Sequence, residues 1–109
     1  MAPLKFGLKM ITKFQNRVYK IISKIPRGRV VSYQDVASKL GNKNLARAVG
    51  QALNRNPFAP KIPCHRIISK DGRLGGYKLG SKNKRKILLA EGIKFNGNNL
   101  VPQRCFFKL

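Results

Sequence analysis

Three residues of this chain have side chains that can act together in covalent catalysis: Cys64, the adjacent His65 and Glu91. A cysteine thiolate is a strong nucleophile, and a histidine can take up the thiol proton directly or through a water molecule. A carboxylate can orient the histidine, so the three residues have the composition of a Cys–His–Glu relay. Because neighbouring side chains seldom point the same way, we expect a water to bridge Cys64 and His65.

Glu91 is assigned to this relay by elimination, because the chain has only three acidic residues. Asp35 lies three residues after Ser32, where it fits a helix capping box. Asp71 precedes a glycine in a predicted turn, a position in which aspartate is favoured. So few carboxylates also argue against paired-carboxylate catalysis and against a two-metal nuclease site.

A purely structural interpretation of the same residues stays open at this point. Cysteine is often buried and inert, so Cys64 can be a small core residue and His65 a satisfied polar one. One histidine and two cysteines lack the spacing of a zinc site, and the chain has no Walker-type phosphate loop. We therefore predict no metal and no cofactor, and an incidental Cys105. A cysteine protease would need oxyanion donors and a substrate cleft, for which the sequence gives no signal.

The charge of the chain indicates its partner. Lys and Arg number 24 against three acidic residues, a formal net charge of +21, and the basic residues are spread from Lys5 to Lys108. Such a field attracts polyanions, and nucleic acid is the leading candidate. Charge alone fits a ribosomal-type RNA-binding protein equally well. The basic run at residues 82–86 is expected to be a solvated face with a general attraction for phosphate.

The class of the chain follows from length and composition. With 109 residues it suits one small domain, and no apolar run is long enough to span a membrane. Two cysteines are too few for a disulfide framework, which indicates a reducing compartment. We expect an unsecreted monomer, cytoplasmic or nuclear, with no membrane partner.

The spacing of apolar residues predicts the elements that must position the site. Helices are expected over residues 12–25, 33–40, 45–54 and 82–91, with Ser81 capping the last, and a short strand over 29–31. The second and third helices, joined by a short turn at 42–44, have the pattern of a helix-turn-helix. Arg47 and Arg55 lie on the third helix, where small residues (Ala46, Ala48 and Gly50) allow close approach to a DNA groove.

The remaining segment predicts a wing. Residues 65–69 have the composition of a strand, and Asp71-Gly72 is a tight-turn signal, so we expect a short hairpin. The fold class is therefore α+β and mainly helical: a small winged-helix, helix-turn-helix-like DNA-binding domain with a short hairpin, spanning residues 1–109.

Several short motifs resemble one family. The run Pro63-Cys64-His65-Arg66-Ile67 is similar to the acceptor-cysteine motif of the O6-alkylguanine-DNA alkyltransferases. Further blocks match in order and spacing, over about residues 12–95: Val31-Ser32-Tyr33-Gln34, Ala46-Arg47-Ala48-Val49-Gly50, Asn56-Pro57, Gly76-Tyr77 and Leu89-Ala90-Glu91-Gly92.

The resemblance implies a self-alkylating DNA-repair activity that takes O6-alkylguanine out of the duplex. Cys64 would accept the alkyl group irreversibly, His65 would form its thiolate through a water, and Glu91 would orient His65. Asn56 would support the turn that holds the site, and Tyr33 would turn the nucleotide and donate a proton to the leaving guanine.

The same resemblance implies a DNA surface and a base pocket. Arg47 would fill the gap left by the extruded nucleotide, with the other DNA-contacting positions at Tyr33, Ala46, Ala48, Gly50 and Gln51. Tyr77 would close the pocket over the base. Arg66, Ile67 and Leu53 are placed around that pocket, with Arg66 as a structural or electrostatic partner of the acceptor.

Two departures and two alternatives accompany the resemblance. Family members usually carry an N-terminal ribonuclease-H-like domain, which we expect to be absent, together with any zinc site in it. Lys78-Leu79 stand where small hydrogen-bonding residues are more usual, which puts the alkyl-group preference in doubt.

The alternatives are a non-catalytic lesion sensor, although such relatives typically carry Trp at the acceptor position, and a basic winged-helix protein without chemistry.

Overall fold

The computed structural model describes residues 12–59, 61–97 and 99–109, so the first eleven residues of the predicted domain lie outside the described residues. The described chain forms four α-helices and two short strands: α1 (Lys13–Ile22), β1 (Val31–Ser32), α2 (Tyr33–Lys39), α3 (Ala46–Asn54), β2 (Ile67–Ile68) and α4 (Ser81–Ala90). It also contains short 3-10 turns at Lys43–Leu45, Cys64–Arg66 and Gln103–Cys105.

Two helices begin at capping boxes. The Asp35 amide donates to Ser32 Oγ at 3.0 Å, and the Ser32 amide donates to the Asp35 carboxylate at 3.3 Å, as predicted for α2. Thr12 caps α1 in the same way, with Gln15 as its partner. The predicted cap of α4 is wrong by one residue. Ser81 is the first helical residue, and the cap position is taken by Gly80, whose φ of +95° favours glycine.

Helix α1 is shorter than predicted. It ends at Ile22, three residues before the predicted end at Ile25. Pro26 disfavours a helical backbone at the residue that precedes it, which explains why Ile25 leaves the helix. Ile25 still reaches the core, where it is 2% exposed.

Helices α2 and α3, with the Lys43–Leu45 turn between them, form the predicted helix-turn-helix and pack against α1. The Tyr19 hydroxyl on α1 donates to the Ala52 carbonyl on α3 at 2.8 Å. Apolar residues of the three helices form the first core cluster, whose buried members include Val18, Ile22, Val36, Val49, Leu53, Cys64 and Ile67. Helix α3 is thereby fixed on one side and leaves Arg47 exposed on the other.

The sheet differs from the predicted wing. Residues 64–66 form a 3-10 turn, and β2 then pairs in parallel with β1, with Val31 opposite Ile67 and Ser32 opposite Ile68. The predicted turn at Asp71-Gly72 is present, since the Ser69 amide donates to the Arg73 carbonyl at 2.9 Å. No antiparallel ladder extends from it in the described chain, so the hairpin strands were wrongly predicted.

The alternation of side chains along the strands connects two cores. Ile67 faces the helix-turn-helix, whereas Ile68 faces a second cluster with Val30, Leu88, Ile93 and Val101. This second cluster holds α4 against the C-terminal segment. None of the described helices is both long and apolar enough to cross a membrane.

Candidate active site

Cys64 is the first residue of the 3-10 turn that leads into β2. Its amide donates to the Ile62 carbonyl at 2.8 Å, and the side chain is 3% exposed. On one side the cysteine borders a cavity of about 500 Å³, which has the size of a small-molecule pocket. The cavity is lined by Tyr33, Ala46, Arg47, Gly50, Gln51, Leu53, Asn54, Cys64, Gly76, Tyr77 and Lys78.

His65 lies on the closed side of the same turn and is 1% exposed. Its Nε2 is 2.9 Å from Glu91 Oε2. Arg66 holds the same carboxylate with two bonds, 3.0 Å from Nε and 2.7 Å from Nη2, and donates a third to the Ile25 carbonyl at 2.8 Å. The predicted contact between His65 and Glu91 is therefore present. The Nδ1 of His65 is buried and has no hydrogen-bond partner among the described protein atoms.

The environment sets the charges of this pair. Burial lowers the pKa of His65, and the Glu91 carboxylate offsets only part of that effect. Burial by itself would raise the pKa of Glu91, but the hydrogen bonds from Arg66 and His65 outweigh it and lower that pKa. At neutral pH His65 is therefore an uncharged base beside an ionised carboxylate.

Burial raises the pKa of the Cys64 thiol, so the protonated form dominates at neutral pH. A hydrogen bond from the Asn56 side chain opposes this effect, as do the positive charges of Lys84 and Lys78. The thiol therefore needs a base to become nucleophilic, and nearby cations stabilise the thiolate once it forms.

Asn56 shapes the loop that precedes the cysteine. Its side chain is fully buried, donates to the Ile62 carbonyl at 2.9 Å and accepts from the Phe58 amide at 2.9 Å. An amide that both donates to and accepts from the main chain fixes a loop much as a backbone turn would. The loop in turn delivers Cys64 to the cavity.

Two tyrosines, Tyr33 and Tyr77, line the cavity. The Tyr33 hydroxyl lies 3.5 Å from the Gly76 carbonyl oxygen. Gly75 permits this approach, since a Cβ there would lie 3.0 Å from that hydroxyl and its φ is +71°. The Tyr77 ring meets the His65 ring edge to face, with centroids 6.3 Å apart. Burial and the nearby Cys64 raise the pKa of both tyrosines, so both remain proton donors at neutral pH.

Lys84 is the important residue that sequence reasoning missed. It was placed on a solvated face, but the side chain is fully buried, so that prediction was wrong for this residue. Its Nζ donates to the carbonyls of Ile67 at 2.6 Å, Leu74 at 2.5 Å and Gly76 at 3.0 Å. Burial lowers its pKa to about 8. The available signal was its spacing of four residues from the buried Leu88 on the same helix face.

Most of the predicted DNA-binding and pocket residues lie together on the cavity: Tyr33, Ala46, Arg47, Gly50, Gln51, Leu53 and Tyr77. Ala48 is on α3 but does not line the cavity. Arg66 and Ile67 do not line it either, because Arg66 is bonded to Glu91 and Ile67 is buried in β2. Among the described residues no three His, Cys, Asp or Glu side chains are grouped to hold a metal ion.

The fold and the site define a helix-turn-helix domain with a buried cysteine facing a cavity beside the recognition helix. The family model for the 6-O-methylguanine DNA methyltransferase DNA-binding domain matches residues 13–93, so the chain belongs to this family. A methylated-DNA–protein-cysteine methyltransferase of Methanothermobacter thermautotrophicus is 44% identical over 97 residues, which are 89% of this chain and 53% of the relative. The Candida glabrata protein of that name is 42% identical over 75% of this chain and 40% of its own length.

Solved structures agree with this assignment. Mycobacterium tuberculosis OGT in complex with DNA matches with a TM-score of 0.71 and 45% identity, over 73% of this chain and 49% of that one. Schizosaccharomyces pombe Atl1, in complex with damaged DNA containing O6-carboxymethylguanine, matches with a TM-score of 0.76 and 25% identity. That match covers 89% of this chain and 96% of Atl1. The chain spans about half the length of the curated relatives it matches.

Proposed function

We propose that this chain repairs DNA directly by transferring the alkyl group of O6-alkylguanine, chiefly O6-methylguanine, to Cys64 in a single irreversible turnover. One observation carries the proposal: the turn at residues 64–66 presents Cys64 to the cavity and His65 to the buried Glu91. A nucleophile and its oriented base are thus placed side by side, with room for a substrate on one side only. The family assignment supports the same activity.

A guanine stacked in duplex DNA cannot reach a sulfur that is 3% exposed, so the nucleotide must rotate out of the helix. Such rotation costs a few kcal/mol, and less when the pair is damaged. Exposed Arg47 lies on the recognition helix at the edge of the cavity, where it can fill the gap in the base stack. Small residues beside it, Ala46 and Gly50, let α3 come close to the groove.

The transfer is a displacement at the alkyl carbon. His65 takes the thiol proton through a water that its unpaired Nδ1 can bind, and Glu91 stabilises the imidazolium that results. The sulfur–carbon bond forms as the carbon–O6 bond breaks, and the bonding pair leaves with guanine. Tyr33 supplies the proton that neutralises the departing base and regains one from solvent. Tyr77 covers the base. The product is a thioether, so the protein is consumed and no cofactor is required.

The charge of the chain supports the choice of substrate. A net charge of +21 favours binding to the phosphates of double-stranded DNA, with an affinity that falls steeply with salt. A free thiol acceptor and a chromosomal substrate fit the cytoplasm of a prokaryote or a nucleus. We expect the chain to act as a monomer, because each turnover needs one lesion and one cysteine.

The test is to incubate the chain with a duplex carrying one O6-methylguanine and to weigh its peptides by mass spectrometry. We expect one methyl group on the Cys64 peptide at up to one equivalent per chain, and none in Cys64→Ser. Cys105→Ser is the matched control and should accept the methyl group as the wild type does, since Cys105 does not line the cavity.

The same experiment separates the alternatives. A protein that stays unmodified but binds the lesion duplex more tightly than an undamaged one would be a lesion sensor. Unmodified protein that binds both duplexes equally would identify a basic DNA-binding protein without chemistry.

A further inference from the structure

Lys78 gives the cavity a positive charge that can act on a bound ligand as well as on the Cys64 thiolate. It follows Tyr77, lines the cavity, and donates from Nζ to the main-chain carbonyl of Asn56 at 2.7 Å. The fully buried side chain of Asn56 in turn fixes the loop that presents Cys64 to the same cavity. The ammonium group of this exposed lysine is thus held on the wall of the cavity that Cys64 also lines.

This ammonium has capacity for a ligand. A lysine has three donors, and the described contacts of Lys78 use one of them, on the Asn56 carbonyl. None of the described residues that line the cavity is acidic, so the wall offers Lys78 no carboxylate partner. The carboxylate of Glu91 is held by His65 and Arg66 on the closed side of the turn.

We propose that Lys78 makes this chain prefer O6-alkylguanines whose alkyl group ends in a negative charge, such as carboxymethyl, over neutral groups of the same size. This inference rests on the proposed function and names the substrate class of the same site. Cys64 contacts the carbon next to O6, so the end of a longer alkyl group must lie elsewhere in the cavity. An anchored cation near the sulfur is the group that a terminal carboxylate would meet.

The chemistry of the transfer is unchanged by the carboxylate. The Cys64 sulfur bonds to the methylene carbon, the bond from that carbon to O6 breaks, and guanine leaves with the electron pair and is protonated. The product is S-carboxymethylcysteine, and no oxidant or further reactant is needed. A carboxylate close to a thiolate would repel it, and the charge of Lys78 offsets that repulsion.

The experiment compares single-turnover rates on three duplexes that differ only at O6: carboxymethyl, carbamoylmethyl and methyl. Carbamoylmethyl has nearly the shape of carboxymethyl without its charge, so the ratio of these two rates isolates the electrostatic preference. Lys78→Met removes the charge and keeps the length of the stem, and Lys78→Arg retains the charge. Lys82→Met is the matched control, because it changes net charge equally on an exposed position of α4 outside the cavity.

We expect the carboxymethyl-to-carbamoylmethyl ratio to fall about fivefold to tenfold in Lys78→Met, the size of a partly screened charge pair. Lys78→Arg and Lys82→Met should keep most of the wild-type ratio. The methyl duplex shows how much Lys78→Met slows transfer in general, because the charge of Lys78 in the wild type also favours the Cys64 thiolate. Free nucleosides carrying the same two groups should show the same loss of preference, because they lack phosphates.

An unchanged ratio in Lys78→Met would overturn the inference. So would a ratio that changes in duplex DNA and not with free nucleosides, because Lys78 would then act on the phosphate backbone. In either case methyl transfer by the wild type would leave the proposed function intact. Absence of methyl transfer by the wild type would overturn both.

Discussion

The two sides of Cys64 are built differently. Towards the cavity the neighbours are partly or fully exposed side chains, among them Arg47, Tyr33 and Tyr77. Towards the interior the neighbours are two buried ionisable groups: His65 bonds to Glu91 through Nε2, and Lys84 bonds to main-chain carbonyls. One side is open to a ligand, and the other is part of the folded core.

Substitutions on the two sides of Cys64 should therefore have different effects on stability and on activity. A polar group removed from the closed side leaves buried partners unsatisfied, so folding and chemistry suffer together. An exposed side chain removed from the open side, such as Arg47, is replaced by water, so substrate handling should change far more than stability.

Removal of the base should give the largest effect. His65→Gln retains a donor for Glu91 but cannot accept the thiol proton, so alkyl transfer should slow about 10²- to 10⁴-fold, measured as the single-turnover rate at pH 7. The deficit should shrink as pH rises towards the raised pKa of Cys64, because the thiol then ionises without help. A deficit that is constant with pH would indicate a structural role only.

The second prediction concerns stability. Lys84→Met takes the donor from the Ile67, Leu74 and Gly76 carbonyls, and it should lower the free energy of unfolding by about 2–4 kcal/mol in urea denaturation. The loss is not larger because the methionine no longer carries a buried charge. Lys86→Met, an exposed position on the same helix, should change it by less than about 0.5 kcal/mol. Equal losses of stability in the two variants would contradict the claim that the buried Lys84 stabilises the fold through its carbonyl contacts.

The third prediction concerns the open side. Arg47→Ala should slow repair of duplex O6-methylguanine about tenfold or more, because the inserted side chain stabilises the extruded state. Its reaction with free O6-benzylguanine and its unfolding midpoint should stay near the wild-type values. Arg55→Ala removes an equal charge at the residue that follows α3, away from the cavity, and should slow duplex repair less. Equal slowing on duplex DNA and on free O6-benzylguanine would show that Arg47 does not act in base extrusion.

The smallest effect is a shift in pH dependence. Burial lowers the pKa of His65, so its neutral form persists at pH 6.5, and the rate with free O6-benzylguanine should fall only below that value. Glu91 raises the pKa of His65. In Glu91→Gln the imidazole should therefore stay neutral to lower pH, and the acid limb of the profile should move down. An acid limb that moves up or stays in place would contradict the assignment of Glu91.

The sequence predicts the helices and the main site residues because their signals are local. The Ser32 capping box depends on side chains three residues apart, and the cysteine motif is continuous along the chain. The strand at residues 65–69 was predicted from composition, which does not distinguish a strand from a 3-10 turn followed by a short parallel pair. Pairing of Ile67 with Val31 is a long-range contact, so local composition carries little information about it.

The sequence by itself determined the chemistry available to this protein: a cysteine next to its one histidine, a carboxylate left over for that histidine, and a charge suited to DNA. Only the tertiary structure decided which side of the turn is open. It buried Lys84 among carbonyls and anchored Lys78 on the wall of the cavity that Cys64 lines, although both are lysines in a basic stretch. The reason is physical, since the burial and the pKa of an ionisable group depend on contacts from distant segments.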